Sequence, residues 1–319
     1  MRIAFIHDWE PDHFQELTWE DGLSKAIKIL SDRHQVRFFT CGNKTTVLPH
    51  KFYDIYVYQS SEELEEAVRA WFPEVILHWA DCTRPNAERL SKVAPQALCF
   101  AGGNALAGNA QYFKQIFVES ASYKKTFEEW GHNVSTAFGT NTELFSPVAG
   151  MPKHFDAFFP ATYCDWKRHK LFTDATKGLR AATAGYMYPV QERYCYEYPR
   201  SAGVLTLPHI SANTLRWMYA ASEVVVVTSR ADGGSQRTVL EAMAMNIPVI
   251  AMKDSDKTSE YLIDAGLESH VVSPDPQAIR EKIEEIKANG CKETRPYIME
   301  KWSEFVYADN IEKGLKKLV

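Results

Sequence analysis

The stretch Thr228–Ala242, TSRADGGSQRTVLEA, concentrates residue types that do chemistry. It follows the apolar run EVVVVT (Glu223–Thr228), which reads as a buried strand. In open α/β sheets, ligands bind outside the carboxyl ends of the strands. Gly233 and Gly234 let the backbone approach a ligand closely. Asp232, Ser235 and Gln236 add polar groups to the same loop. N–H groups at the start of the following helix favour phosphate or sugar hydroxyls. Glu241 is the one charged residue in LEAMAMNIPVIA. A carboxylate there needs a partner, and a ribose diol donates two hydrogen bonds to it. The residues alone fit equally a solvent-facing glutamate on an amphipathic helix.

A second group is DWKRHK, Asp165–Lys170. Arginine binds phosphate bidentately and lysine acts as a point charge, so Lys167 and Arg168, with Lys170, suit an anionic ligand. The same run also reads as a solvated charged face. AGYM (Ala184–Met187) and LPHI (Leu207–Ile210) follow apolar runs and bring Gly185, His209 and Ile210 to strand ends. In the first half, HDWEPDHFQELTWEDG follows the first apolar run and begins with Asp8 and Trp9 after His7. Its acids suit sugar hydroxyls or a cationic group, or form a solvated loop. His78 follows another run, and FAGGN offers Gly102 and Gly103 for close backbone approach.

These loops need a frame. Apolar runs at Arg2–His7, Gln35–Thr40, Ile55–Tyr58, Glu74–His78, Ala97–Phe100 and Ile116–Glu119 predict strands. Helical patterns lie between them: Trp19–Leu30 capped by Thr18, a helix capped by Ser61 through Trp71, Asn86–Lys92 and Ser122–Trp130. The second half repeats the alternation. Its strands are Ala157–Ala161, Ala181–Ala184, Val204–Leu207, Glu223–Thr228, Pro248–Met252 and Val271–Val272. Its helices are Leu171–Ala175, Ala212–Ala221, Val239–Met245, Ser259–Asp264 and Pro276–Ala288. Such alternation implies right-handed βαβ units and mostly parallel sheets, an α/β fold. A length of 319 residues suits two domains. SPVAGMPK (Ser146–Lys153) reads as the linker, giving domains 1–148 and 149–301. The last helix, Trp302–Leu318, carries Phe305, Ile311 and Leu315 and is expected to return to the first domain, over 302–319.

Composition narrows the partners. A net charge of −5 gives no global attraction to nucleic acid or anionic lipid, though a local basic patch stays open. The six cysteines form no C-x-x-C pair and lie near no histidine at zinc spacing, which suits reduced thiols in a cytoplasmic protein. MRIAFIHDW reads as a first strand and not a signal peptide. No run approaches the ~20 apolar residues of a spanning helix, so stable membrane insertion is not expected. Aromatics at 13% serve core packing or stacking on sugars and bases.

TSRADGGSQRTVLEAMAMNIPVIA resembles the signature of the family 4 glycosyltransferases, with Ser229, Glu241, Ala242, Met243, Ala244, Pro248, Val249 and Ile250 in the corresponding places. IFVESASYKKTFEEWG followed by AFGTNTELFSP is similar to a second stretch of that family. There Gly139, Phe145 and Pro147 match, and Asn141 stands where Asp is usual. The resemblance implies the GT-B fold: two Rossmann-like domains facing a central cleft. It implies a retaining, hexosyltransferase-type enzyme with a nucleotide-sugar co-substrate, such as a UDP- or GDP-sugar, no cofactor and no metal. Glu241 would hold the donor ribose, and Asp232–Gln236 the donor sugar. Gly185, His209 and Ile210 would contact diphosphate or base. Lys167 and Arg168 would be the catalytic cations at the leaving diphosphate. Asp8, Trp9, Gly102 and Gly103 would face the acceptor.

Three further positions depart from the pattern. The family's first acid falls on Gly233, with Asp232 one residue early. Its diphosphate arginine falls near Thr162, and its usual histidine at Ala101. Front-face displacement is the implied route, with catalysis from positioning and charge neutralisation. A nucleotide-sugar epimerase of the same build, or a non-catalytic nucleotide- or sugar-binding protein, fits the departures too. The acceptor stays open among glycan, lipid, small molecule, protein and modified nucleic-acid base.

Overall fold

The alternating pattern resolves into two parallel-sheet units in the computed structural model, which describes residues 1–7, 21–49, 54–79, 84–100, 110–187, 193–230 and 237–319. The first unit comprises Met1–Gly139 and Glu304–Val319; the second comprises Thr140–Ser303.

The first unit holds β1 (Arg2–His7), β2 (Gln35–Cys41), β3 (Thr46–Pro49), β4 (Asp54–Tyr58), β5 (Val75–Trp79), β6 (Gln96–Cys99), β7 (Gln115–Val118) and β8 (Val134–Thr136). Their order is β3-β4-β2-β1-β5-β6-β7-β8. Neighbours run parallel except the edge pair β3–β4. Helices α1 (Gly22–Arg33), α2 (Ser61–Trp71), α3 (Arg84–Leu90) and α4 (Ala121–Glu129) intervene. Connections leave β1 toward β2 on one side and reach β5 on the other. That makes the β1/β5 carboxyl ends a topological switch point, where such sheets open a crevice.

Some boundaries differ from the expected ones because caps decide them. Asp21 caps α1, its Oδ1 accepting from the Ser24 N–H at 2.8 Å; Thr18 lies outside the described residues. Ser60, and not Ser61, caps α2 by accepting from the Glu63 N–H at 3.2 Å. The short strands β3 and β8 were not anticipated, since four and three residues carry too little periodicity.

The C-terminal helix α12 (Glu304–Leu315) joins the first unit. Ile311 and Leu315 are buried in its core with Phe117 of β7, whereas Phe305 is 46% exposed and does not pack there as expected. Gly314 is what allows the close approach: a Cβ there would lie 2.4 Å from the Phe117 ring.

The second unit holds β9 (Phe155–Pro160), β10 (Ala181–Ala184), β11 (Leu205–Leu207), β12 (Ser222–Val227), β13 (Val249–Met252) and β14 (Val271–Val272), in the order β11-β10-β9-β12-β13-β14 and all parallel. Its helices are α5 (His169–Ala175), α6 (Tyr194–Ser201), α7 (Ala212–Ala220), α8 (Arg237–Ala244), α9 (Asp256–Asp264), α10 (Pro276–Asn289) and α11 (Arg295–Lys301). The unanticipated α6 contains Pro199, a residue that removes a helical donor and argues against helix. β12 is central, and Val224–Val227 are buried, as a strand covered on both faces requires. The switch point of this sheet lies between β9 and β12.

Among the described residues no helix is long and apolar enough to cross a membrane. The described cysteines, Cys41, Cys99, Cys164, Cys195 and Cys291, are free thiols.

Alanine normally favours a helix over glycine by about 1 kcal/mol. At position 314 the Phe117 contact reverses the sign. Gly314→Ala is expected to lower stability by about 1–3 kcal/mol in denaturant unfolding, and a gain in stability would contradict this packing.

Candidate functional site

The run Asp165–Lys170 sits at the β9/β12 switch point. Asp165–Lys167 forms a single 3-10 turn, and Arg168 follows in the left-handed region at φ 56°. Two bonds tie the turn to the end of β12. The Thr228 hydroxyl donates to the Lys167 carbonyl at 2.7 Å, and the Arg230 N–H donates to the Trp166 carbonyl at 2.8 Å. The Arg168 guanidinium closes the joint. Its Nε donates to the Thr228 carbonyl. Nη1 and Nη2 hold the two Asp254 oxygens at 2.6 and 2.9 Å, and Nη2 also reaches the Ser229 carbonyl at 3.1 Å. The hydrogen bonds from Arg168 hold the Asp254 carboxyl below its usual range. Lys167 is half-buried on this fastened turn. Lys170 points elsewhere, pairing with Asp174 one turn along α5 at 2.5 Å.

His169, between them, is structural. It is buried against Phe159 and Tyr163, shares a 3.0 Å hydrogen bond with the Thr162 carbonyl, and is pushed down to about 4 by burial. It therefore stays neutral near pH 7.

Glu241 lies on α8, only 6% exposed. The Tyr219 hydroxyl of α7 donates to its Oε2 at 2.7 Å. Tyr219 is fully buried, edge-on to Phe145 at 5.9 Å and to Phe158 of β9 at 5.6 Å. Burial first, and the neighbouring Glu241 second, push its phenol well above the usual value. The solvent-facing alternative for Glu241 is thereby removed. Phe145 belongs to the second sequence stretch, whose Asn141 caps a turn by accepting from the Leu144 N–H at 3.1 Å. The two stretches thus meet at Tyr219.

Gly185 follows β10 against the end of β9, where a Cβ would lie 2.0 Å from the Ala161 carbonyl oxygen, so no side chain fits. The next residue, Tyr186, is 55% exposed and stacks on His209, with ring centroids 3.8 Å apart and planes 14° off parallel. His209 and Ile210 follow β11. This stacked pair stands at neighbouring carboxyl ends, β10 and β11. Tyr186 escaped the sequence reading because its partner lies 23 positions away.

In the first unit, His78 lies inside β5 and not after it. It is buried beside Gln96, Nε2 to Oε1 at 2.6 Å. The Gln96 amide nitrogen donates to the Ala87 carbonyl, so the Gln96 oxygen accepts and His78 donates from Nε2. Two residues missed by sequence reasoning, His7 and Trp79, end β1 and β5 with parallel rings 6.4 Å apart, at that unit's switch point. Asp8, Trp9, Gly102 and Gly103, and Asp232, Gly233, Gly234, Ser235 and Gln236, lie outside the described residues.

The sequence holds one Asp-x-Asp triplet, Asp254-Ser255-Asp256, a spacing that suits a metal and that the metal-free expectation passed over. In the structure Asp254 is bound to Arg168. Among the described residues no group of three or more His, Cys, Asp or Glu is placed to share a metal ion.

Residues 189–302, all in the second unit, match the family Glycosyl transferases group 1. No curated protein sequence matches the chain. Among solved structures, the sucrose-phosphate synthase of Thermosynechococcus elongatus is similar over 100% of this chain and 99% of its own, with a TM-score of 0.79 at 16% identity. HepE of Anabaena in complex with UDP is similar over 100% of both chains, with a TM-score of 0.75 at 14% identity. A glycosyltransferase of Rickettsia africae covers 99% of this chain and 98% of its own, with a TM-score of 0.75 at 13% identity. The fold is GT-B, and with the family match these likenesses support a glycosyltransferase.

Tyr219→Phe removes the donor to a buried carboxylate and is expected to cost about 1–3 kcal/mol of stability, read by chemical denaturation. An unchanged midpoint would show that Glu241 does not depend on this bond.

Proposed function

We propose that the protein is a retaining glycosyltransferase that moves a sugar from a nucleotide-sugar to an acceptor. The second unit binds the donor and the first unit binds the acceptor. The observation that carries this reading is Glu241: a nearly buried carboxylate, oriented by Tyr219, on the helix that follows the central strand β12. A carboxylate held this way suits the paired hydroxyls of a ribose. The turn at Asp165–Lys167 supports the reading, since it holds Lys167 at the β9/β12 switch point, the place this reading gives to the diphosphate.

Lys167 is assigned the leaving-group charge. Arg168, bound to Asp254 and two carbonyls, is assigned to positioning: it locks the turn that carries Lys167. The reading gives the leaving diphosphate to side-chain cations and not to a metal. Gly185 admits the diphosphate backbone-close, and the Tyr186–His209 pair offers a flat face to the base, with Ile210 beside it. The loop Asp232–Gln236 is assigned to the donor sugar. Asp8, Trp9, Gly102 and Gly103, joined now by His7 and Trp79, are assigned to the acceptor. Displacement on the front face of the sugar, with retention, needs only such positioning and charge neutralisation.

HepE has been solved with UDP-glucose as well as UDP, which makes UDP-sugars the first donors to try. The test is a panel of UDP-, GDP- and ADP-sugars with nucleotide release as readout, with and without candidate glycan, lipid and small-molecule acceptors. Acceptor-dependent release with a product of retained configuration is expected. Release without a glycosylated product points to hydrolysis or epimerisation, and binding without release to a non-catalytic role. Glu241→Gln is expected to weaken donor binding by about 1–3 kcal/mol by calorimetry, and unchanged affinity would remove Glu241 from the donor site.

A further inference from the structure

A nucleoside diphosphate brings more negative charge than one half-buried lysine balances. Asp165–Lys170 supplies three cations in sequence, but the structure withdraws two of them. Every nitrogen of Arg168 already donates, to Asp254 and to two carbonyls. Lys170 is directed along α5 instead, its ammonium paired with Asp174 and set over the Tyr198 ring at 5.1 Å. Thr162, where the family resemblance asks for an arginine, is not basic.

Another guanidinium reaches the same place from a different strand. Arg230 lies three residues beyond β12, at the β9/β12 switch point. Its N–H bonds the Trp166 carbonyl at 2.8 Å, while Thr228 bonds the next carbonyl, that of Lys167. One backbone bond and the Thr228 hydroxyl thus tie 228–230 to 166–167, and the Arg230 and Lys167 side chains start from neighbouring points. The Arg230 side chain is 44% exposed, and its guanidinium meets Asp165, an acid whose side chain is 55% exposed, at 3.3 Å. A solvent-screened pair of that kind contributes little, so phosphate oxygens can compete for it.

We propose that Arg230 is the second diphosphate-binding cation of the donor site, acting with Lys167 and held ready by Asp165; this rests on the donor reading above. As the acceptor's nucleophilic atom bonds to the anomeric carbon and its proton passes to the departing phosphate, the bond from that carbon to the phosphate oxygen breaks and its electron pair stays on that oxygen. A guanidinium donating two N–H groups there stabilises the charge as it forms.

Calorimetry on the full chain tests this, with UDP, GDP and ADP tried on the wild type and the tightest one compared with its parent nucleoside. Arg230→Ala is expected to weaken the nucleoside diphosphate roughly 10- to 100-fold while changing the nucleoside less than about twofold. Arg230→Lys restores part of the loss. Arg230→Ala in an Asp165→Asn background keeps the loss, which separates a missing cation from an uncovered acid. Equal loss for both ligands, no loss, or full recovery in the double variant overturns the proposal. A wild type that binds none of the three diphosphates removes the donor reading itself, a result visible before any variant is made.

Discussion

A carboxylate shut away from water must be given hydrogen bonds, or it destabilises the fold that buries it. Glu241 meets that demand through Tyr219, and the surrounding structure is arranged to keep the pair together. Tyr219 is wedged between Phe158 of the sheet and Phe145 of the turn that Asn141 caps. Arg295 of α11 also holds that turn, donating to the carbonyls of Phe145 and Thr142 at 3.1 Å each. Segments far apart in sequence thus converge on one oriented oxygen. Orientation fixed before a ligand arrives is what lowers the entropic cost of binding and reaction.

The same logic governs the cationic side. A free, flexible lysine contributes a diffuse charge, whereas one on a fastened turn contributes a placed charge. Arg168 does the fastening: from a left-handed backbone, unusual for a residue with a Cβ, its side chain reaches the Thr228 and Ser229 carbonyls just beyond β12. Cations chosen from sequence spacing therefore divide in the structure between those that hold the frame and those that face outward.

The fold was legible because central parallel strands are buried on both faces and write near-continuous apolar runs, as EVVVVT does. Strand edges and caps were less so: Asp21 and Ser60 displaced the expected helix starts, and β3 and β8 are too short to announce themselves. Pro199 concealed α6. Glu241 was legible from its isolation in an apolar helix, and its partner was not, because Tyr219 lies 22 positions away and reads as one more core aromatic. Arg230, His7 and Trp79 were hidden for a similar reason. Each acquires meaning only from which strand lies beside it, and strand order is not written in local periodicity.

The proposed donor site holds a nucleoside diphosphate at the carboxyl ends of β9 and β12 with its ribose on Glu241. A crystal structure with the best-bound nucleotide-sugar tests this most directly. Ribose hydroxyls within hydrogen-bond distance of the Glu241 carboxylate, and the diphosphate beside Lys167, are the expected result. A nucleotide seated on the first unit, or on the second unit away from Glu241, would contradict it.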